Sequence, residues 1–489
     1  MFLIGAKIVL LAYLLVLLLL TLFGLHRYWI LYLYWRFYKK APPLAVPPEP
    51  EQWPFVTVQL PVYNEIYVIE RLIESVTRLD YPKDRLEIQI LDDSTDETSA
   101  LAEQWVRQKS GDGYCIRHLR RPNRSGFKAG ALAHGLQQAR GEFLAIFDAD
   151  FLPPPDFLKK VIPYFSDGKV GMVQARWGHL NSSYSLLTRL QSLFLDGHFV
   201  LEHTARNRSG AFFNFNGTAG IWRRETIDQA GGWMTDTLTE DLDLSYRAQL
   251  RGWRFLYLPH VVCPAELPVD MNAFRTQQYR WTKGALEVAR KVLPDIWRSG
   301  FPSLVKLEST IHLTANLGYL LVSILSILLL PSLVARCYLQ WPGVEYLEGI
   351  AFALTLISIG LFYYVAHREA HPSEPLEWRH LPALVALGIG MGFNNLRAAL
   401  EAFLDIKTEF SRTAKLNIRN REESWRQKRY KGRTGSVGAI EMGLAVYFVF
   451  TFLYSLELSF WWSVPFILLF FFGYFYVGMM TLSHTLQKT

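Results

Sequence analysis

Cysteine is scarce in this chain: Cys115, Cys263 and Cys337 are the only three in 489 residues, and they lie far apart without paired spacing. That argues against a disulfide framework and against a C-x-x-C zinc site. A G-x-x-x-x-G-K-[ST] loop and a strand-linked G-x-G-x-x-G are also missing, which disfavours a kinase and a nicotinamide enzyme. The net charge is only +7, and much of that excess sits beside apolar runs. Positive charge flanking membrane spans accounts for it, so no nucleic-acid partner is expected.

Apolar sequence is plentiful and unevenly placed: half of the residues are hydrophobic and 15% are aromatic. Residues 2–25 form one nearly continuous run, and others lie near 312–336, 348–366, 381–404, 440–456 and 464–482. The first run carries only Lys7 as an early charge, exceeds a signal-peptide core and lacks a small-residue cleavage site. It is expected to be an uncleaved anchor, followed by an aromatic and basic belt, HRYWILYLYWRFYKK. These features divide the chain into an anchor and belt (1–40), a Pro-rich connector (41–53), a domain of globular composition (54–300) and a membrane region (301–489).

Within 54–300, short β-branched runs alternate with helical patterns. FVTVQLPVYNE, LEIQILDDS, YCIRHLR and FLAIFDAD read as strands. A helix is predicted from about Thr98 to Lys109, and another in GFKAGALAHGLQQA. Such alternation predicts a doubly wound, mostly parallel α/β sheet, whose ligands bind beyond the C-terminal strand ends. Asn64 and Glu65, Asp92 and Asp93, and Asp148 and Asp150 all fall at such ends and should converge on one crevice.

Two acids two apart ordinarily make a turn or a helix cap. Here no Lys or Arg adjoins Asp148 and Asp150 in sequence, and their expected place is a ligand crevice. Carboxylates so placed suit Mg²⁺ or Mn²⁺ shared with a substrate phosphate. Lys128, at a Gly-opened helix start, offers a diphosphate contact. Glu240 and Asp241 precede an apolar helical pattern, where Thr239 with acids in the first turn would also serve as a cap. Gln277, Arg280 and Trp281 share one helix face, suited to phosphate and to stacking on a sugar ring.

The ordered set ILDDSTDET, FKAGAL, IFDADF, VQARW, FNGTAGIWR, AGGW, LTEDLDL and QQYRW resembles the processive family-two glycosyltransferases of GT-A fold. That group includes cellulose, hyaluronan and mannan synthases, and the phrases look most like plant mannan synthases and their glucan-synthase cousins. The resemblance is dense over residues 55–290. It implies an inverting hexosyltransferase that builds a β-linked mannan, glucomannan or glucan from GDP-mannose or UDP-glucose and passes it across the membrane. A non-processive enzyme with a lipid acceptor, of the ceramide glucosyltransferase type, is the alternative.

By the same resemblance, Asp92 and Asp93 would face the nucleotide's base and ribose. Asp148 and Asp150 would ligate the metal, with Lys128 nearby. Asp241, beside Glu240, would be the general base. Gln277 and Arg280 would face the diphosphate and Trp281 the acceptor sugar. Phe215, Asn216, Gly217 and Thr218 would shape the acceptor site.

Topology follows from charge. The segment Lys407–Arg433 holds ten basic and three acidic residues, which predicts a cytosolic loop. The run at 381–404, polar in its second half, is then expected to be an interfacial amphipathic helix. That leaves about five crossings in an all-α membrane region, a cytosolic catalytic domain and the N-terminus opposite. The resemblance further implies a gating loop over 406–437, with Phe410, Thr413 and Lys415 matching its motif and Arg412 standing where the family carries Val.

Overall fold

The computed structural model describes residues 2–341, 343–430 and 437–486; of the expected gating loop, residues 431–436 lie outside them. The chain opens with α1 (Phe2–Tyr34), prolonged by a π-helical turn over Trp35–Lys39. The α/β region follows as β1 (Val56–Val62), α2 (Ile69–Thr77), β2 (Leu86–Asp92), α3 (Thr98–Gly111), β3 (Cys115–Arg120), α4 (Phe127–Gln138), β4 (Phe143–Ile146), α5 (Phe157–Val161) and β5 (Val170–His179). Next are α6 (Leu186–Asp196), a π-helical segment over Gly197–His203, α7 (Thr204–Ser209), β6 (Gly220–Arg223), α8 (Arg224–Gln229), α9 (Glu240–Leu250), β7 (Arg254–Ala265) and α10 (Met271–Arg298). The remaining helices are α11 (Ser303–Thr314), α12 (Leu317–Leu339), α13 (Val344–Ala370), α14 (His380–Gly390), α15 (Gly392–Phe403), α16 (Val437–Glu457) and α17 (Val464–Leu486).

The seven strands form one sheet in the order β3-β2-β1-β4-β6-β5-β7. All seven residues of β2 are buried, because helices cover both faces of the sheet. Even Glu87 lies inside, and Thr57 Oγ1 (2.8 Å) and the Arg140 amide (3.0 Å) satisfy its carboxylate. β1 to β4 coincide with the strands expected from sequence, whereas β5 to β7 lie in segments whose sequence shows motif phrases but no expected strand. Strand β6 is the exception to parallel order, running against both β4 and β5. Its register places Gly220 opposite Ile146, so the start of β6 meets the end of β4. That reversal sets Asn216–Ala219 beside Asp148 and Asp150.

Among the described residues, five helices are long and apolar enough to cross a membrane: α1 with its π turn, α12, α13, α16 and α17. Each overlaps one of the predicted runs, but α12 begins only at Leu317, the start of the run at 312–336 falling in α11, and α1 with its π turn continues to Lys39, well past the run at 2–25. The expected single helix over 381–404 is instead two, α14 and α15, bent by 44° at Met391, and as one broken span they would make a sixth candidate. α14 is apolar and lies on α17 with backbone against backbone, since a Cβ on Gly390 would fall 2.3 Å from the Gly473 carbonyl. Only α15 carries the polar residues that suggested an interfacial helix. It buries Ala399 and Ala402 in a cluster that includes Leu286 of α10.

Candidate active site

Of the strand-end acids, Glu65, Asp93, Asp148 and Asp150 line one cleft at the C-terminal edge of the sheet, together with Lys128, Glu240, Asp241, Gln277, Arg280, Trp281, Phe410, Thr413 and Lys415. Asp148 and Asp150 follow β4 directly, and the backbone amide of Asp148 donates to Thr218 Oγ1 at 2.9 Å. Neighbours in sequence leave these acids bare, but the tertiary structure neutralises them. Lys128 Nζ lies 2.6 Å from Asp148 Oδ1, and Lys415 Nζ 2.5 Å from Asp150 Oδ2. Asp150 is 3% exposed, and its Oδ1 atom has no hydrogen-bond donor. Burial works against the charge on Lys128, yet Asp148 and Glu240 outweigh it and hold its pKa above the usual range.

Asp241 stands in the first turn of α9, its Oδ1 accepting the Leu242 amide at 2.8 Å. Thr239 occupies the N-cap position but makes no capping hydrogen bond through its side chain. Burial, with Glu240 alongside, raises the Asp241 carboxyl to about 7, and burial also raises Glu240. Gly217 sits at φ +79°, and a Cβ there would lie 2.9 Å from Asp241 Oδ2 and 3.3 Å from Lys128 Nζ. Only glycine admits that backbone and leaves both groups in place. The Gly217 carbonyl also accepts from Lys128 Nζ at 2.9 Å.

Helix α10 is opened by Asp270, whose carboxylate accepts from the amides of Asn272 and Ala273. One of its faces presents Gln277, Arg280 and Trp281 to the cleft. Arg280 donates to Thr413 Oγ1 at 3.0 Å and lies 4.5 Å above the Phe410 ring, which stacks on Phe127. The loop after α15 therefore rests across the cleft. Arg412 pairs with Glu65 at 2.9 Å and lies over the Tyr430 ring. Burial lifts the Glu65 carboxyl to about 8, with Arg412 and Lys415 opposing the rise.

Three of the nominated residues are held away from the cleft. Asp92 is buried under β2's end, where its carboxylate takes the Ser94 amide and His118 Nε2, both at 2.8 Å; Asp93 alone of that pair lines the cleft. Phe215 is core, edge-on to Trp222, and Thr218 is buried beneath Asp148. Asp93 itself is paired with Arg121 through two hydrogen bonds.

Other cleft residues had received no role. Glu65 falls at an expected strand end, and its sequence context assigns it no role. Glu266 follows β7 and accepts the amides of Leu416, Asn417 and Ile418 at 3.0, 2.9 and 3.3 Å, besides Arg71 at 2.8 Å. An acid just past a strand is the signal that would have found it, had β7 been read as a strand. Arg124, 3.3 Å above the Tyr63 ring, gave no sequence signal.

Residues 54–284 match the model of the family described as glycosyltransferase like family 2. Glucomannan 4-beta-mannosyltransferase 2 of Arabidopsis thaliana is 46% identical over 252 residues, covering 50% of this chain and 47% of that protein. Glucomannan 4-beta-mannosyltransferase 1 of Oryza sativa subsp. japonica is 42% identical over 273 residues, covering 54% and 51%. The chain thus spans about half the length of the curated relatives it matches. Among solved structures, the mannosyltransferase PcManGT from Pyrobaculum calidifontis, in complex with GDP-Man and Mn²⁺, superposes with a TM-score of 0.56 at 23% identity, over 81% of this chain and all of that one. Residues 54–284 are a family-two glycosyltransferase domain of GT-A type.

Proposed function

We propose that this protein is an inverting membrane hexosyltransferase that extends a β-1,4-linked mannan or glucomannan from GDP-mannose. One observation carries the reading: Asp148, Asp150, Lys128, Asp241, Gln277, Arg280 and Trp281 meet in one cleft. The names of the relatives support mannose as the sugar and 4-β as the linkage, and UDP-glucose is the competing donor.

Asp241 accepts the proton of the acceptor hydroxyl as that oxygen forms its bond to the anomeric carbon and the bond to the diphosphate breaks. A carboxyl held up to about 7 is matched to that task near neutrality. Lys128 and Arg280 carry the positive charge that the departing diphosphate meets. The Trp281 indole offers a face for the acceptor sugar. No covalent intermediate is needed, and among the described residues no cysteine thiol lines the cleft.

Asp148 and Asp150 fit a divalent cation: they are oxygen ligands, Asp150 Oδ1 is buried without a donor, and two lysine ammoniums already stand against the pair. Mg²⁺ or Mn²⁺ bound there would screen the diphosphate charge. The charge pattern supports a catalytic domain in the cytosol and an N-terminus on the opposite side, and export of the polymer past the membrane helices rests on the family resemblance.

The test is to incubate the purified protein in nanodiscs with radiolabelled GDP-mannose or UDP-glucose and Mn²⁺, then to digest the product with a β-1,4-mannanase. A labelled polymer from GDP-mannose that the enzyme degrades is the expected result. Transfer of one sugar to lipid would replace this reading with the lipid-acceptor alternative, and no transfer from either donor would refute it.

A further inference from the structure

A buried histidine, His203, and a half-buried one, His198, grip Asn216, the cleft residue that precedes Gly217. Asn216 Nδ2 is 3.0 Å from His198 Nε2, and Asn216 Oδ1 is hydrogen-bonded to His203 Nε2. His198 Nδ1 is 3.1 Å from Glu202 Oε2, which also accepts from Arg206 at 3.1 Å.

The direction of the protons in this chain follows from its charged end and from the orientation of the Asn216 amide, whose NH₂ group can only donate. Burial alone would raise the Glu202 carboxyl, but Arg206 and His198 hold it well below the usual range, so it accepts only. His198 Nδ1 must then be the donor, and the Asn216 NH₂ group facing the other side of the ring makes Nε2 the acceptor. The Asn216 carbonyl oxygen is thereby turned to His203, whose Nε2 must carry the hydrogen. His203 Nδ1 is buried among Phe199, Phe213 and Tyr257 rings without a partner, as a neutral ring requires. Burial holds the His203 pKa well below its ordinary value.

Backbone geometry makes this grip possible. Residues five apart on an α-helix point roughly 140° away from each other. His198 and His203 lie instead on the π-helical segment Gly197–His203, whose wider turn brings their rings together, tilted by 54° with centroids 4.3 Å apart. Gly197 opens that segment where a Cβ would meet Phe362 and Tyr363 of α13 at 2.7 Å.

We propose that His198 and His203 are positioning residues for the transfer reaction: as two neutral tautomers of opposite sense they fix the Asn216 amide, and with it the Gly217 carbonyl that holds Lys128 beside Asp241. This rests on the transferase reading above. Asp93, which the resemblance sets at the donor's base side, is paired with Arg121 and lies outside the grip, so the effect falls on kcat.

His203→Leu in the full-length protein in nanodiscs is expected to lower kcat for mannosyl transfer at least ten-fold, with the donor KM changed less than two-fold. His203→Gln, which returns an N–H at the same reach, regains most of that loss. A wild-type kcat in His203→Leu, or equal damage in both variants, overturns the proposal. ¹⁵N NMR of histidine-labelled protein tests it without turnover, the signals being assigned by subtraction with His198→Gln and His203→Gln. One Nδ1–H tautomer at His198 and one Nε2–H tautomer at His203 are expected; the reverse pair, or a charged ring at either site, overturns it. Absence of any sugar transfer by the wild type would refute the function while the spectrum still decides the relay.

Discussion

Lys415 Nζ lies 2.5 Å from Asp150 Oδ2, so a residue of the loop after α15 supplies an internal cation to a carboxylate at the end of the β4 strand. A divalent ion bound to Asp150 would compete with that ammonium. Lys415→Met should therefore tighten Mn²⁺ binding in the presence of GDP, and Asp150→Asn should weaken it, each on the order of ten-fold, the equivalent of one pK unit. Calorimetric titration of Mn²⁺ reads both. Loosened binding in Lys415→Met would contradict the competition. EDTA should abolish transfer by the wild type, and Mg²⁺ or Mn²⁺ should restore it.

The raised Asp241 carboxyl sets a pH limb. A general base acts only when ionised, so kcat/KM should fall as pH drops through about 7, by about ten-fold per pH unit further down. Asp241→Asn keeps the shape, loses the base, and should cost about 10²–10⁴ in rate while leaving donor affinity largely unchanged. A rate profile flat from pH 5.5 to 8, or near-normal turnover by Asp241→Asn, would remove the role.

Trp281 presents its indole beside Arg280 on α10. Trp281→Ala should raise the acceptor-oligosaccharide KM at least about ten-fold, since a lost stacking contact is worth about 1–3 kcal/mol, and should leave donor binding nearly intact. Titration with GDP-mannose checks it, and a large loss of nucleotide affinity would contradict the assignment.

Glu266 binds three consecutive loop amides, a charge-assisted anchor. Glu266→Gln keeps the shape but gives up the charge, and about 1.5–3 kcal/mol per such bond is at stake. Tryptic cleavage within the loop should accelerate by ten-fold or more relative to cleavage elsewhere. Unchanged proteolysis would mean that Arg412, Lys415 and Thr413 suffice to hold the loop.

Ser424 lies in the basic segment proposed to face the cytosol. In a variant lacking the three native cysteines, Ser424→Cys in sealed vesicles should react only with a reagent on the catalytic-domain side. Modification from the opposite side alone would refute the topology.

The amino-acid sequence by itself determined the class of the molecule. Runs of twenty or more apolar residues admit few structures other than membrane helices, and β-branched runs alternating with helical patterns admit few sheets other than a parallel one. Acids placed just past those runs, as Asp93, Asp148 and Asp150 are, therefore announced the cleft. Local pattern carried no information about which atoms face inward, so Asp92 and Asp93 looked alike until His118 claimed one of them. β5, β6 and β7 also escaped notice, and with them Glu266 and the reversal that carries Gly217 to Asp148. Pairing between distant segments decided the rest: Lys415 on Asp150, Arg412 on Glu65, and two histidines on Asn216. Such contacts depend on chain reversals and helix breaks, like the bend at Met391 and the π turn before His203. Side-chain periodicity does not encode these features, because they form only when packing against another element favours them over the regular backbone.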